Sequence, residues 1–300
     1  MLGQLAFEDL RGNVAANQSL ADYTSWRVGG PADLLYLPAD AEDLTCFLAQ
    51  LPLELPLYWM GLGSNTLVRD GGVEGAVIVT QGRLNGLEQE DSLLVRAEAG
   101  VACAQLARFC ARLNLEGAEF MAGIPGTVGG ALAMNAGCFG GETWDIVTQV
   151  ETIDRRGQRR LRPSSDFAVG YRHVQRPADE WFLAGHFKLN PGDKTTSLEK
   201  IRNLLERRSN TQPTNHPTCG SVFRNPPENY AGQLIEGCGL KGKKKGGASV
   251  STKHANFIIN EGQAKAADIE ALVEEIQAIV ENERQIRLIP EVCIVGRPVR

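Results

Sequence analysis

The sequence predicts an α+β or mixed α/β protein with a boundary near residue 192. Short β-type runs alternate with helical periods, the glycine-rich stretches do not follow every strand, and Pro191-Gly192-Asp193 halts the chain late in the sequence. In order, LLYL (34–37), LYWM (57–60), AVIVT (76–80), LLVRAEA (93–99) and VTQVETI (147–153) read as strands bounded by glycine or polar turns. Between them, Asp40 to Leu51 reads as a capped helix after Pro38. Leu106, Phe109, Cys110 and Leu113 recur at i, i+3, i+4 and i+7, which puts one apolar face on a second helix. WFLAGHFKLN (181–190) is a strand, and Thr195 to Arg208 a helix with Leu198, Ile201, Leu204 and Leu205 on one side. Ile269, Leu272, Val273, Ile276 and Val280 mark an amphipathic helix that leads into IRLIPEVCIVG (286–296), a final strand.

Composition narrows the function. With 43% hydrophobic and 22% charged residues the chain can build packed cores, so disorder is excluded. The net charge of -5 argues against a general nucleic-acid binder. Phe47 to Gly63, the longest apolar stretch, is broken by Gln50, Glu54 and two prolines and cannot span a bilayer. The opening MLGQLAFEDLRGN lacks a basic region followed by an apolar one, so a secretory signal is not expected. Seven cysteines without a CxxC pair read as reduced thiols of a cytoplasmic protein. Four scattered histidines form no ligand cluster, and no metal is expected.

Two segments are too rich in glycine to be punctuation alone: GLGSNTLVRDGG (61–72) and GIPGTVGGALAMNAGCFGG (123–141). Without a Cβ, glycine lets a ligand approach backbone N–H groups, and successive N–H groups form a concavity for anions. Two such loops favour a cofactor containing a diphosphate. No GxGxxG follows a strand, so a Rossmann dinucleotide site is not indicated. Gly237, Gly242 and Lys243 nearly match a phosphate-binding loop, but Lys244 stands where magnesium would need Ser or Thr, and a GxSxG elbow is missing.

The segments TSWRVGGPADLLYLP (24–38), GLGSNTLVRDGG, GIPGTVGGALAMNAG, GYRHV (170–174), CGSVFRNP (219–226), AGQLIEGCGLKG (231–242), HANFIIN (254–260) and IPEVCIVG (289–296) occur in that order. Together they resemble the UDP-N-acetylenolpyruvoylglucosamine reductases, flavoenzymes of peptidoglycan precursor synthesis. The spacing after Arg172 is similar to the shorter, type II branch. The resemblance implies an FAD-binding region of the PCMH (vanillyl-alcohol-oxidase) type over residues 1–192, in α+β subdomains of about 1–80 and 81–192. A C-terminal α/β substrate-binding domain would occupy 193–300. It also implies non-covalent FAD, NADPH as hydride donor and UDP-N-acetylglucosamine enolpyruvate as substrate, with no nucleic acid, membrane or obligate protein partner.

The same resemblance assigns the site. Arg172 would lie against the substrate carboxylate, where a guanidinium fork forms bidentate bonds. Ser221 would protonate carbon, and Glu291, expected to be buried between apolar strand residues and protonated, would stand on the other side. For the flavin it nominates Arg27, Gly61, Gly63, Ser64, Asn65, Thr66, Gly123, Ile124, Gly126, Thr127, Gly129, Gly130, Asn135 and Gly137. Tyr171, Asn225 and His254 are candidates for the nucleotide-sugar, although a lone histidine before a strand is more often structural. Many relatives carry serine where Val174 follows the YR motif. Lys241, Lys243, Lys244 and Lys245 suit either a phosphate contact or a solvated turn. Two other readings fit the glycine loops: another FAD-dependent oxidoreductase of this fold, or a nucleotide-binding regulatory module.

Overall fold

The structure, a computed structural model, describes residues 7–299; the first six residues, which enter the reading of the N-terminus, lie outside them. The chain forms two compact units. The first comprises the residues up to Ala16, Leu34–Leu62 and Gly75–Arg207; the second comprises Asn17–Asp33, Gly63–Glu74 and the residues from Arg208 onward.

In the first unit, helix α1 (Ala41–Gln50) starts where expected, with the Asp40 carboxylate accepting from the backbone N–H of Asp43 at 2.9 Å. Its buried Leu44, Phe47 and Leu48 share a core with Leu34, Tyr36, Ala76 and Ile78. Strand Leu57–Met60, the LYWM run, lies parallel to Val73–Val79, with Leu57 opposite Ala76 and Met60 opposite Val79. A five-stranded antiparallel sheet follows, in the order Arg159–Pro163, Val147–Asp154, Glu180–Lys188, Leu94–Glu98, Leu87–Asp91. Helices α2 (Cys103–Arg112) and α3 (Val128–Met134) pack Leu106, Cys110, Val128 and Leu132 into one core with Val95, Val150 and Phe187. Helix α4 (Lys194–Thr211) begins right after Pro191-Gly192-Asp193, with Asp193 accepting from the Thr196 N–H at 2.8 Å.

An ionic cluster sits in the middle of that sheet. The buried His186 ring meets Glu90 at 2.6 Å through Nδ1 and Glu151 at 3.3 Å through Nε2, and Arg96 grips Glu151 at 2.5 and 2.9 Å. Burial alone would lower the His186 pKa, but Glu151 and Glu90 together outweigh it and raise the value above 6.5. Glu151 is held down to about 2, by Arg96 first and then by His186. A raised folded pKa means that the stabilisation by His186 is complete below its unfolded pKa and fades as pH rises through the folded one. The stabilisation by Glu151 runs the other way and fades only as pH falls from about 4.5 toward about 2. The melting temperature of wild type should therefore exceed that of His186→Gln most near pH 5.5 and least near pH 9. Thermal melts across that range check this, and a constant gap would contradict it.

The second unit is built around α6 (Ala266–Arg284), which follows α5 (Ala231–Gly237). The five apolar positions of the sequence pattern, Ile269, Leu272, Val273, Ile276 and Val280, are all buried, with Ala248, Val250 and Ile258 of a three-stranded antiparallel sheet. The division of the chain differs from a single boundary near 192. Trp26 and Leu67 are fully buried in the core of α6, and Trp26 Nε1 donates to the Ile258 carbonyl at 2.8 Å. The Asp70 carboxylate accepts from the first two N–H groups of α6, Ala266 and Ala267, both at 2.9 Å, a cap worth about 1 kcal/mol. Arg69 forks onto Glu270 with a shortest distance of 2.7 Å. These contacts bind Asn17–Asp33 and Gly63–Glu74 to the C-terminal residues. The expected strand 286–296 is shorter than its apolar run: only Cys293–Val295 pairs, in parallel, with Thr66–Val68.

Candidate active site

In the first unit, Gly61 and Thr127 bring the two glycine-rich loops together. A Cβ on Gly61 would stand 2.2 Å from Thr127 Oγ1, so a side chain there would force the loop or the hydroxyl to move. That hydroxyl is buried and has no hydrogen-bond partner among the described residues, although Thr127 stands at the N-terminus of α3. A buried, unspent hydroxyl is costly unless a ligand completes it. A glycine cradle beside such a hydroxyl fits a cofactor bound by small polar contacts, as FAD would be.

The other glycines of this loop have a different reason. A Cβ on Gly123 would stand 2.7 Å from Cys138 Sγ, one on Gly129 would stand 2.8 Å from the Ala99 Cβ, and one on Gly137 would stand 2.4 Å from the Gly141 carbonyl. They make room for the protein itself; a Cβ on Gly130 would meet nothing nearer than Thr127 Oγ1 at 3.9 Å. Several amides expected to be bare are already used: Ile124 donates to Met121, Gly126 to Ile124, Val128 to Val101 and Gly129 to Ala99. Asn135, in the left-handed region with φ 45°, ends α3. Its amide is committed within the protein, donating to Glu142 at 2.8 Å and Gly170 at 3.2 Å and accepting from Trp144 at 3.1 Å. Its backbone is used as well, the N–H donating to the Ala131 carbonyl and the carbonyl accepting from Arg172.

Arg172 is placed by this same framework. Strands Ala168–Gly170 and His173–Gln175 pair with Gly170 opposite His173, so Tyr171 and Arg172 form the two-residue turn. Arg172 takes φ 54°, and its guanidinium donates to the carbonyls of Gly137 at 2.9 Å and Asn135 at 3.4 Å. It lies 5.2 Å from the centre of the exposed Tyr171 ring. Val174 is buried in the core, so the missing serine there is replaced by packing.

In the second unit, Ser221 is half-buried, and among the described residues nothing hydrogen-bonds its hydroxyl. Its backbone is fixed on both sides. Cys219, buried, points its thiol at the Gly63 carbonyl at 3.4 Å. Burial pushes that thiol up to about 12, so it stays neutral. On the other side, the buried Asn256 side chain accepts from the Phe223 N–H at 2.9 Å and donates to the Phe223 carbonyl at 2.8 Å. Its own carbonyl receives the Val222 N–H at 2.9 Å. Sequence reasoning passed over Asn256; its place in HANFIIN gave no sign that the amide mimics a strand for CGSVFRNP. Asn256→Ala would orphan two buried backbone groups at about 1–3 kcal/mol each. We expect a melting-temperature loss of several degrees with a larger fall in kcat than in KM, checked by thermal melts and steady-state kinetics.

Glu291 is half-buried, not enclosed between apolar strand residues: Ile289 is 61% exposed and the strand begins only at Cys293. The Glu291 N–H donates to the Val222 carbonyl at 2.7 Å, and its carbonyl accepts the Asn65 side-chain amide at 3.0 Å. Two backbone-level contacts thus link Glu291 to the Ser221 segment and to the loop holding Gly63, Ser64, Asn65 and Thr66. Gly63, at φ 62°, could not be another residue, since a Cβ there would stand 2.1 Å from the Tyr23 carbonyl. Arg27 is exposed with φ 57°. Asn225 spends its oxygen on the N–H of Ala231 at 3.1 Å, leaving its NH2 for a ligand. His254 packs edge-on against Phe257 at 4.8 Å, and its Nδ1 accepts from the Asn256 N–H at 3.3 Å. Burial first, and Lys241 second, lower its pKa, so it is neutral near pH 7. The four lysines of the basic turn are paired with carboxylates: Lys241 with Glu236, Lys243 and Lys245 with Glu275, and Lys244 with Glu261. That pairing favours the solvated turn over an open phosphate site.

The FAD binding domain model matches residues 32–161, and the model of the UDP-N-acetylenolpyruvoylglucosamine reductase C-terminal domain matches residues 212–295. A UDP-N-acetylenolpyruvoylglucosamine reductase of Legionella pneumophila (strain Lens) is 57% identical over 287 residues, covering 95% of this chain and 93% of its own. This chain belongs to the UDP-N-acetylenolpyruvoylglucosamine reductase family. The Methylococcus capsulatus reductase is 56% identical over 95% of the chain and 94% of its own length. The crystal structure of UDP-N-acetylenolpyruvylglucosamine reductase from Thermus caldophilus superposes with a TM-score of 0.82 at 33% identity, covering 96% of this chain and all of that one. The FAD-binding region is accordingly of the PCMH type in an α+β setting, as the ordered motifs implied.

Proposed function

We propose that this protein reduces the enolpyruvyl ether of UDP-N-acetylglucosamine to UDP-N-acetylmuramate in peptidoglycan precursor synthesis. NADPH is the hydride donor, FAD the non-covalent carrier, and the cytoplasm the place of action. The observation that carries this reading is Ser221: a hydroxyl without a partner among the described residues, on a segment clamped by Cys219 and Asn256 and tied to Glu291. Gly61, Thr127, Gly130 and the Gly63–Thr66 loop are the residues that would hold the flavin. FAD held there would supply the hydride chemistry that links NADPH to the enolpyruvyl group.

The residues of the chain answer the charge that this addition leaves on the substrate. Hydride at the methylene drives negative charge from the adjacent carbon into the carboxylate. Arg172, fixed by the Gly137 and Asn135 carbonyls, supplies positive charge for that carboxylate. Ser221 delivers the proton to carbon; a hydroxyl is a weak acid, but the enolate is a strong carbon base. Glu291 is assigned to the enolate, and Tyr171, Asn225 Nδ2 and His254 Nε2 are assigned to the nucleotide-sugar.

The purified protein should be yellow, bleach anaerobically with NADPH and recover its colour on adding the enolpyruvyl nucleotide, with one UDP-N-acetylmuramate formed per flavin reoxidised. Bleaching without recovery would point to another flavin oxidoreductase acting on an alcohol or lactone. A colourless protein releasing no flavin on denaturation would point to a nucleotide-binding module.

A further inference from the structure

Arg224 lies three residues beyond Ser221 in CGSVFRNP, on the stretch of chain that runs beside Glu291. Its N–H donates to the Ile289 carbonyl at 2.9 Å, Phe223 bridges Pro290, and the Glu291 N–H reaches the Val222 carbonyl at 2.7 Å. The Arg224 side chain is half-buried, its Nε is shut off from water without a hydrogen-bond partner, and it joins no ion pair among the described residues.

The other enclosed guanidinium groups have found partners for at least one arm, although the Nε atoms of Arg155 and Arg172 are likewise without one. Arg69 forks onto Glu270, Arg96 onto Glu151 and Arg162 onto Glu180. Arg155 and Arg176, which have no carboxylate partner among the described residues, donate to the backbone carbonyls of Leu55 and Glu180. Enclosing a guanidinium Nε without a partner is unfavourable, and an incoming oxyanion would remove the penalty. Its field does reach the site: the Cys293 thiol, raised first by the protein around it, is lowered by Arg224 and raised by Glu291. A cation and a carboxylate thus act on one point of the second unit, next to Asn65 and Thr66, with which Cys293 pairs.

We propose that Arg224 is a substrate-binding residue that takes an oxyanion of the nucleotide-sugar, a second cation in addition to Arg172. This rests on the substrate reading above. The substrate offers two oxyanions, its diphosphate and its carboxylate, and a guanidinium fork suits both.

The test uses the FAD-loaded full chain and measures dissociation constants for the enolpyruvyl nucleotide and for UDP-N-acetylglucosamine, which has the diphosphate but no carboxylate. Arg224→Gln should weaken the enolpyruvyl nucleotide about ten- to a hundredfold, with Arg224→Lys recovering part of the loss. Weakening of both ligands assigns the diphosphate; weakening of the enolpyruvyl nucleotide alone assigns the carboxylate. A readout independent of turnover is alkylation of Cys293: its pH profile should move to higher pH in Arg224→Gln, and nucleotide should protect the thiol less than in wild type. Unchanged dissociation constants for both ligands in Arg224→Gln and Arg224→Lys would overturn the inference. If wild type binds the nucleotides and turns over while the variants match it, only Arg224 is wrongly assigned. If wild type binds neither nucleotide, the substrate reading falls and this inference with it.

Discussion

Ser221→Ala should leave flavin reduction by NADPH close to wild type and slow reoxidation by the enolpyruvyl nucleotide by about 10²–10⁴-fold, the usual worth of a positioned proton donor. Little else should change. Among the described residues the hydroxyl makes no hydrogen bond, so its removal orphans nothing there, and the segment stays clamped by Cys219 on one side and Asn256 on the other. The variant should melt within about a degree or two of wild type, because half-buried surface changes rarely exceed about 0.5 kcal/mol. Stopped-flow absorbance separates the two halves of the cycle in a single preparation. Ser221→Cys provides the complementary variant: a thiol keeps a transferable proton at nearly the same place and should retain part of the lost rate. Wild-type rates in both halves for Ser221→Ala would remove Ser221 from the mechanism, while loss of both halves would mean that the segment, not its hydroxyl, matters.

The contrast between Ser221 and Asn256 indicates what could be read from the sequence and what could not. Local signals were legible. Asp40 before an apolar period marked the start of α1, the LYWM run gave its strand, and five apolar positions at helical spacing located the buried face of α6. The motifs that hold Arg172, Ser221 and Glu291 were legible as ordered segments. Non-local pairings were not. Trp26 finds its hydrogen bond 232 residues along the chain, and Arg69 its carboxylate 201 residues away. Nothing in the local pattern around Gly63–Glu74 says that Asp70 will cap α6, so a linear boundary near 192 missed how the two units share the chain. Asn256 escaped for the same reason: an amide that satisfies a distant backbone looks, in sequence, like any strand asparagine.

Glycine was legible as a residue type but not in its purpose. Gly123, Gly129 and Gly137 yield to neighbouring protein atoms, whereas Gly61 is pressed against a hydroxyl that the protein leaves unsatisfied. That difference makes a prediction that separates packing from cofactor binding. Gly61→Ala would put a methyl 2.2 Å from Thr127 Oγ1, well inside contact distance, so either the loop or the hydroxyl must move. Overpacking of this kind costs about 1–3 kcal/mol, and we expect purified Gly61→Ala to contain little FAD and to melt several degrees below wild type. Thr127→Ala alone removes the hydroxyl and creates no clash; it should fold normally and bind FAD about tenfold more weakly, the worth of one enclosed hydrogen bond. In the double variant the clash is relieved, so stability should return toward that of Thr127→Ala while FAD affinity stays low. Such a pattern is non-additive in stability, and its sign follows from one contact. Dissociation constants from flavin fluorescence, read with melts of the apoprotein, give both quantities. If Thr127→Ala binds FAD as tightly as wild type, the orphaned hydroxyl is not a cofactor contact. Gly61 would then join the other three as a glycine that makes room only for the protein.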